Sequence, residues 1–209
     1  MVKILVLGDS HIPRRAKSIP EEIIDKINKL TENSLFDIVL FTGDVIKAPD
    51  LIEFLKSKAK RGFYKVLGNM DYYGGDTDAP LYQKLHFKTL EDKELVIGLS
   101  HGAEIEPRGD LLKLEALALE KQYSILIFGH THKEEIFLSE NGILLINPGS
   151  ITGAWSFLAS QTPSFIMINL MENNQKITIK LFQLFKNIRE IRETNFQFRF
   201  QKGRISSYY

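Results

Sequence analysis

Aspartate, asparagine and histidine recur in this chain at the ends of short apolar runs: Gly8-Asp9-Ser10-His11, Gly43-Asp44, Gly68-Asn69, Ser100-His101-Gly102 and Gly129-His130-Thr131-His132. Four of the five histidines lie in these motifs. Carboxylate oxygen, amide oxygen and neutral imidazole nitrogen are donors for borderline divalent metals, and Asp9, His11, Asp44, Asn69, His101, His130 and His132 supply enough of them to hold two ions side by side. Taken singly, Gly-Asp and Gly-Asn are ordinary turn dipeptides, and a lone His101 is a hydrogen-bonded structural residue. Recurrence at five run ends, together with the uncommon Gly-His-Thr-His, points instead to a binuclear metal site.

Asp9 and His11, two apart after a strand, can face one ion once the backbone leaves regular extended structure, and His130 and His132 share that spacing. Asp44 has two carboxylate oxygens and could bridge, with one ion completed by Asp9, His11 and His132 and the other by Asn69, His101 and His130. Two such cations acidify a shared water, place hydroxide in line with phosphorus and neutralise phosphoryl oxygens, chemistry suited to phosphate-ester hydrolysis. Asp44, Asn69 and His101 are the expected catalytic residues. Asn69, Arg14 and Arg15 are the expected substrate contacts, because guanidinium groups suit phosphate, although the two arginines can equally form a solvated loop. Manganese is the first expectation for the metal, and the same donors accept zinc, iron, cobalt or nickel. His86 falls within a strand pattern and reads as structural.

Positioning these residues requires strands that stop where the motifs begin. Val2 to Leu7 and Phe36 to Phe41 are β-branched, nearly continuous apolar runs, the pattern of strands buried on both faces. Ser18 and Glu21 have capping-box spacing ahead of a helix carrying Ile23, Ile24, Ile27 and Leu30. Leu51, Ile52, Leu55 and Ala59 mark a second helix, and Tyr64 to Leu67 a third strand. Repeated βα units imply a largely parallel sheet, whose ligands collect at the carboxyl ends of the strands. Further on, Leu85 to Leu90 and Glu94 to Leu99 flank a turn at Glu91-Asp92-Lys93. A helix spans about Asp110 to Gln122, and Ser124 to Phe128 leads into Gly129. After His132 the pattern becomes antiparallel: Glu135 to Leu138 and Ile143 to Ile146 around Asn141-Gly142, then Phe165 to Leu170 and Ile177 to Leu184 around Glu172-Asn173-Asn174. Two packed sheets with helices outside is the expected α/β architecture.

Composition bounds the alternatives. With 209 residues and 44% hydrophobic content the chain is expected to form one domain, residues 1–209. A formal charge of +1 steers it neither to nucleic acid nor to an anionic membrane. The absence of cysteine excludes disulfides, thiolate ligands and thiol nucleophiles. No stretch approaches the roughly 20 apolar residues of a membrane span, so a cytoplasmic location is expected, with peripheral membrane attachment through a partner left open. The tail, residues 186–209, alternates Phe196, Phe198 and Phe200 with Gln197, Arg199 and Gln201. Basic and aromatic interleaving can bind single-stranded nucleic acid, but a terminal strand with one apolar face explains it without a ligand, and no nucleic acid is expected.

In their order and form the motifs resemble those of the calcineurin-like metallophosphoesterase superfamily, D-x-H, G-D, G-N, H and G-H-x-H. The likeness is greatest to the branch holding the phosphoesterase-fold subunit of the retromer coat and small prokaryotic phosphodiesterases. It rests on Gly8 to Pro13 (GDSHIP), Gly109-Asp110, Gly129 to Lys133 (GHTHK), Asn147 to Ala154 (NPGSITGA) and Pro163-Ser164-Phe165, and reaches about Leu184. This resemblance implies a four-layer αββα sandwich, the metal assignments above and a metal-dependent phosphoesterase. The retromer subunit has lost some metal-site residues and acts mainly as a scaffold, whereas this chain matches at all seven positions. Met70 stands where many superfamily enzymes place a histidine that assists the leaving group, and losing a general acid costs a factor of about 100 to 10,000. Modest activity, best on activated phosphodiesters or monoesters, is the expectation.

The alternative is a weakly catalytic or non-catalytic scaffold docked on a helical-solenoid partner. Under that reading the loop around Ile105, Glu106 and Arg108 matches a solenoid-contacting loop, with Glu106 and Arg108 replacing apolar residues. Met167 and Phe182 fall in strands corresponding to a patch that recruits regulators, although strand residues of this type also build cores.

Overall fold

Two faces of each central strand are covered by different neighbours, and this explains the continuous apolar runs. The computed structural model describes residues 1–89, 93–171 and 175–207. In chain order the elements are β1 (Val2–Leu7), α1 (Glu21–Thr31), β2 (Phe36–Phe41), α2 (Pro49–Ser57), β3 (Ala59–Lys65), α3 (Asn69–Tyr73), β4 (Tyr82–Phe87) and β5 (Leu95–Ser100). They continue with α4 (Leu111–Glu120), β6 (Ile125–Ile127), β7 (Glu134–Leu138), β8 (Leu144–Pro148), β9 (Ser164–Met171), β10 (Lys176–Phe185), β11 (Glu190–Gln201) and β12 (Arg204–Ser207).

The strands form a seven-stranded sheet, ordered β12-β11-β10-β9-β1-β2-β3, and a five-stranded sheet, ordered β4-β5-β6-β8-β7. Val2, Ile4 and Val6 of β1 point between the sheets, where they meet Ile97, Ile127 and Ile146. Leu5 and Leu7 point the other way, to Ile23 and Ile27 of α1 and Leu51 and Leu55 of α2. The two-residue period of a strand makes this division. On the far side α4 packs Leu114 and Ala118 against Leu126, Phe128 and Leu145. The result is the four-layer αββα arrangement.

The same parity corrects one expectation. Met167 and Phe182 are not on an exposed patch: they are 6% and 0% exposed and lie on the helix-facing side of β9 and β10. Phe182 stacks on its register partner Phe165 at 4.7 Å between ring centroids, with the Lys26 ammonium of α1 over its ring.

Other differences are local. Ser18 and Glu21 form no capping box, because α1 begins at Glu21 directly after Pro20, and no side chain caps it. Glu21 and Glu22 in its first turn still favour the positive helix end. Ala59 opens β3 rather than ending α2, and β3 starts well before Tyr64. As an edge strand with Lys60 and Arg61 in solvent, it lacks the apolar run that marks β1 and β2. The tail forms a hairpin, β11 and β12, that extends the larger sheet, and Phe198, Phe200 and Ile205 enter the core between the sheets. Glu91 and Asp92 of one expected turn, and Glu172-Asn173-Asn174 of the other, lie outside the described residues.

Candidate metal centre

β1, β2 and β3 run parallel in the larger sheet, as do β5, β6 and β8 in the smaller one. Their carboxyl ends meet along one rim. Backbone bonds tie the loops there: Asp9 N–H donates to Gly43 O and His11 N–H to Asp44 O, each at 3.0 Å, Gly129 N–H donates to His101 O at 3.1 Å within the smaller sheet, and Ile151 N–H after β8 crosses between the sheets to Gly8 O after β1 at 3.0 Å. Asp9, His11, Asp44, His130 and His132 all have positive φ, between +49° and +69°. Such left-handed backbone costs a non-glycine residue about 1–2 kcal/mol, and its clustering turns five side chains out of strand direction and inward.

Two glycines of the motifs are required by close approach. A Cβ on Gly68 would lie 2.0 Å from Asp44 Oδ1, and one on Gly129 would lie 2.7 Å from Asp9 Oδ2. Either would displace a carboxylate.

All seven donor residues come together. On one side His11 Nε2 lies 2.9 Å from His132 Nε2, and Asp9 Oδ1 is 3.4 Å from His132 Nε2. On the other, His101 Nε2 lies 3.1 Å from Asn69 Oδ1 and 3.2 Å from His130 Nδ1. Asp44 Oδ2 stands between them, 3.3 Å from His11 Nε2 and 3.5 Å from His101 Nε2. The expectation that Asp44 offers one oxygen to each side is corrected: Oδ1 accepts the Met70 N–H at 2.8 Å, leaving Oδ2 to face both.

Backbone carbonyls orient two of these rings. His132 Nδ1 faces Ala154 O at 2.9 Å and His101 Nδ1 faces Thr42 O at 2.8 Å, so each places its proton on Nδ1 and turns Nε2 to the centre. Burial lowers His11 to about 3, and burial together with the nearby His101 lowers His130 to about 3, which keeps both imidazoles neutral. Burial pushes Asp9 up to about 6 against the pull of His132 and His101. Burial disfavours charge on both Asp44 and His101, yet their contact prevails, holding Asp44 below the usual carboxylate range and His101 up to about 9. Nitrogen and oxygen donor atoms thus converge around one extra proton, held by His101 against Asp44, and a cation placed there would take over that positive charge. Two donor triads of this kind are Asp9, His11 and His132, and Asp9, Asp44 and His101.

Other expected residues fall outside the cluster. Arg14 and Arg15 are exposed; Arg15 Nη1 donates to Trp155 O at 2.8 Å, and its charge contributes to lowering His11. Ile105 is not a surface contact, because it packs with Leu114 and Phe128 under α4. Glu106 is exposed, and Arg108 is half-buried with its charge acting on His130. His86 pairs with Glu94 at 2.8 Å.

Sequence reasoning missed Asp71. It is fully buried and accepts the N–H groups of Asp44, Ile46 and Gly68 at 2.7, 2.8 and 3.2 Å, fixing two metal-centre loops against each other. No residue type or spacing marks a carboxylate as buried. Asn147 and Ser150, from the Asn147 to Ala154 motif, also brace it: Asn147 Nδ2 donates to Gly129 O at 2.9 Å, and Ser150 Oγ to Asp9 O at 2.7 Å.

A model of the calcineurin-like phosphoesterase superfamily domain matches residues 2–173. Over 148 residues, 70% of this chain and 76% of the relative, the sequence is 37% identical to a protein of Methanothermobacter thermautotrophicus named "Probable metallophosphoesterase". Among solved structures, Vacuolar Protein Sorting 29 from Cryptosporidium parvum is similar with a TM-score of 0.79 and 28% identity, over 95% of this chain and 98% of that one. Wild-type Vps29 of Entamoeba histolytica, solved in complex with Zn2+, is similar with a TM-score of 0.78 and 27% identity, over 94% of this chain and 99% of that one.

Proposed function

The chain belongs to the calcineurin-like phosphoesterase superfamily, and on that premise we propose that it is a one-domain, metal-dependent phosphoesterase. Asp9, His11, Asp44 and His132 would hold one divalent ion, and Asp44, Asn69, His101 and His130 a second. The observation that supports this reading best is Asp44 Oδ2 standing within 3.5 Å of a histidine nitrogen on either side. When bound, divalent ions in such a donor set polarise phosphoryl oxygens and acidify water. Manganese remains the first expectation, and the Zn2+ complex of the Entamoeba neighbour favours testing zinc beside it.

The chain's own groups do the rest. Thr42 O and Ala154 O hold His101 and His132 in one tautomer, and Asp71 holds the loop that carries Asp44. Arg15 lies outside the donor cluster, but its charge reaches His11, and its guanidinium would offer further donors to a phosphate oxygen there. The Met70 thioether has no proton for a leaving group, so activated phosphodiesters or monoesters are the better substrates. The test is metal content together with hydrolysis of a nitrophenyl phosphodiester by the Mn2+-loaded protein. About two ions per chain are expected, with turnover lost in Asp44→Ala and His132→Ala. Turnover unchanged in both variants would sink the reading.

A scaffold role of retromer type is the second reading. Its support is an exposed apolar group beside the centre: Trp155 is 52% and Phe157 86% exposed, their rings 5.0 Å apart, on the loop that receives the Arg15 and His132 hydrogen bonds. A helical-solenoid partner covering this face must also pair Glu106 and Arg108, since burying unpaired charge is unfavourable. In this reading the protein is cytoplasmic and reaches sorting membranes through that partner; among the described residues no helix is long and apolar enough to cross a membrane. Pull-down with purified solenoid proteins tests it, and loss of capture in a Trp155→Ser/Phe157→Ser variant is the expected result.

A further inference from the structure

The Asn69 and His101 side of the centre opens into a cavity of about 250 Å3. Asn69 and His101 line it, so it is continuous with the donor cluster, and the rest of its wall is unlike the metal centre. Tyr72 and Tyr73 come from α3, the short helix that begins at Asn69 itself, and Tyr82 comes from β4. Tyr72 and Tyr73 are 59% and 73% exposed, stand edge to face at 5.9 Å, and belong to none of the core clusters. Their helix is nonetheless fixed in place, because Asp71 between Met70 and Tyr72 is buried and bonded to the Asp44 loop. The backbone that carries two aromatic rings is therefore anchored at the metal centre, and neither ring serves the fold.

Glu104 supplies the polar group of this wall. Its Oε1 accepts from Tyr82 Oη and from Ser100 Oγ, each at 3.0 Å, which orients the carboxylate. Oε2 has no hydrogen bond among the described residues and remains an acceptor. A plain alkyl or acyl group would offer Oε2 no donor. The volume lies below the range of about 300–1,000 Å3 for drug-sized ligands, which matches one planar ring with its linker.

We propose that this cavity is the subsite for the organic group of the phosphoester, and that the group is a nucleobase with an exocyclic amine, stacked on Tyr72 or Tyr73 and donating to Glu104. The phosphate would then lie at the donor cluster, so the inference rests on the phosphoesterase reading for the phosphate alone. Stacking of a base on an aromatic side chain is tolerant of sequence and changes affinity by about tenfold or more per base. The amine favours cytosine, adenine or guanine over uracil, which offers a single N3–H flanked by two carbonyl oxygens that the carboxylate repels.

Calorimetric titration of the Mn2+-loaded protein with the non-hydrolysable 5′-phosphonates of cytidine, uridine and ribose tests this, since the three share one dianion. Cytidine phosphonate is expected to bind about tenfold or more tighter than ribose phosphonate, and tighter than uridine phosphonate. The Tyr72→Ala/Tyr73→Ala variant should lose the preference for cytidine over ribose while keeping its affinity for ribose phosphonate. Glu104→Ala should lose the preference for cytidine over uridine. Equal affinity for cytidine and ribose, or preferences that survive these exposed-site substitutions, would overturn the proposal. Failure of the phosphoesterase reading looks different: nitrophenyl diester turnover indifferent to Asp44→Ala, with the cytidine preference intact.

Discussion

The two histidine pairs of the centre are alike in spacing and unlike in surroundings. His11 and His132 meet at 2.9 Å in a closed half, braced by Ala154 O and by Asp9, whose own carbonyl is held by Ser150. His101 and His130 meet at 3.2 Å in an open half, next to half-buried Asn69 and the tyrosine-lined cavity. A closed donor set holds an ion, whereas an open one also admits a substrate. On the proposed reading, metal retention would fall mainly to the first half and substrate contact mainly to the second.

Removing the group common to both halves should do most damage. Asp44→Ala is expected to cut metal content below one ion per chain and turnover by more than about 100-fold, since even outer partners of a metal ligand are worth 10–100-fold. Metal analysis and nitrophenyl diester kinetics measure both. Next, His132→Ala and His101→Ala should each remove one ion, from opposite halves. If either empties both, the halves are not separable.

Asp71→Asn should weaken metal affinity by about 10–100-fold and lower the melting temperature, because an amide cannot accept three N–H bonds as a carboxylate does. In the open half alone, Met70→His should raise turnover of an ester with a poor leaving group by about tenfold and leave an activated ester and the metal content nearly unchanged. Equal gains on both substrates would mean that the new imidazole is not a proton donor. The smallest effect on the chemistry is expected from Ser150→Ala in the closed half, which should cost about 1–3 kcal/mol of stability for the lost bonds to Asp9 O and from Ala154 N–H, read by denaturant unfolding.

Legibility followed burial. β2 begins and ends where its apolar run does, and β1 likewise, because strands covered on both faces carry a continuous signal. β3 does not, because an edge strand exposes Lys60 and Arg61 to water. Apolar type alone could not tell Met167, Phe182 and Ile105 from a docking surface. Register parity and the helices above them put all three inside.

Residue type, order and spacing by themselves determined that seven nitrogen and oxygen donors end the strands of an α/β chain, since metal-binding side chains after apolar runs are a local signal. They also identified Met70 beside Asn69. Only the tertiary structure decided that one oxygen of Asp44 faces both histidine pairs, that Asp71 holds its loop, and that three tyrosines and Glu104 surround the open side. Those facts depend on two sheets ending at one rim. The contacts there join residues tens of positions apart, through backbone turns at positive φ, which linear spacing does not encode.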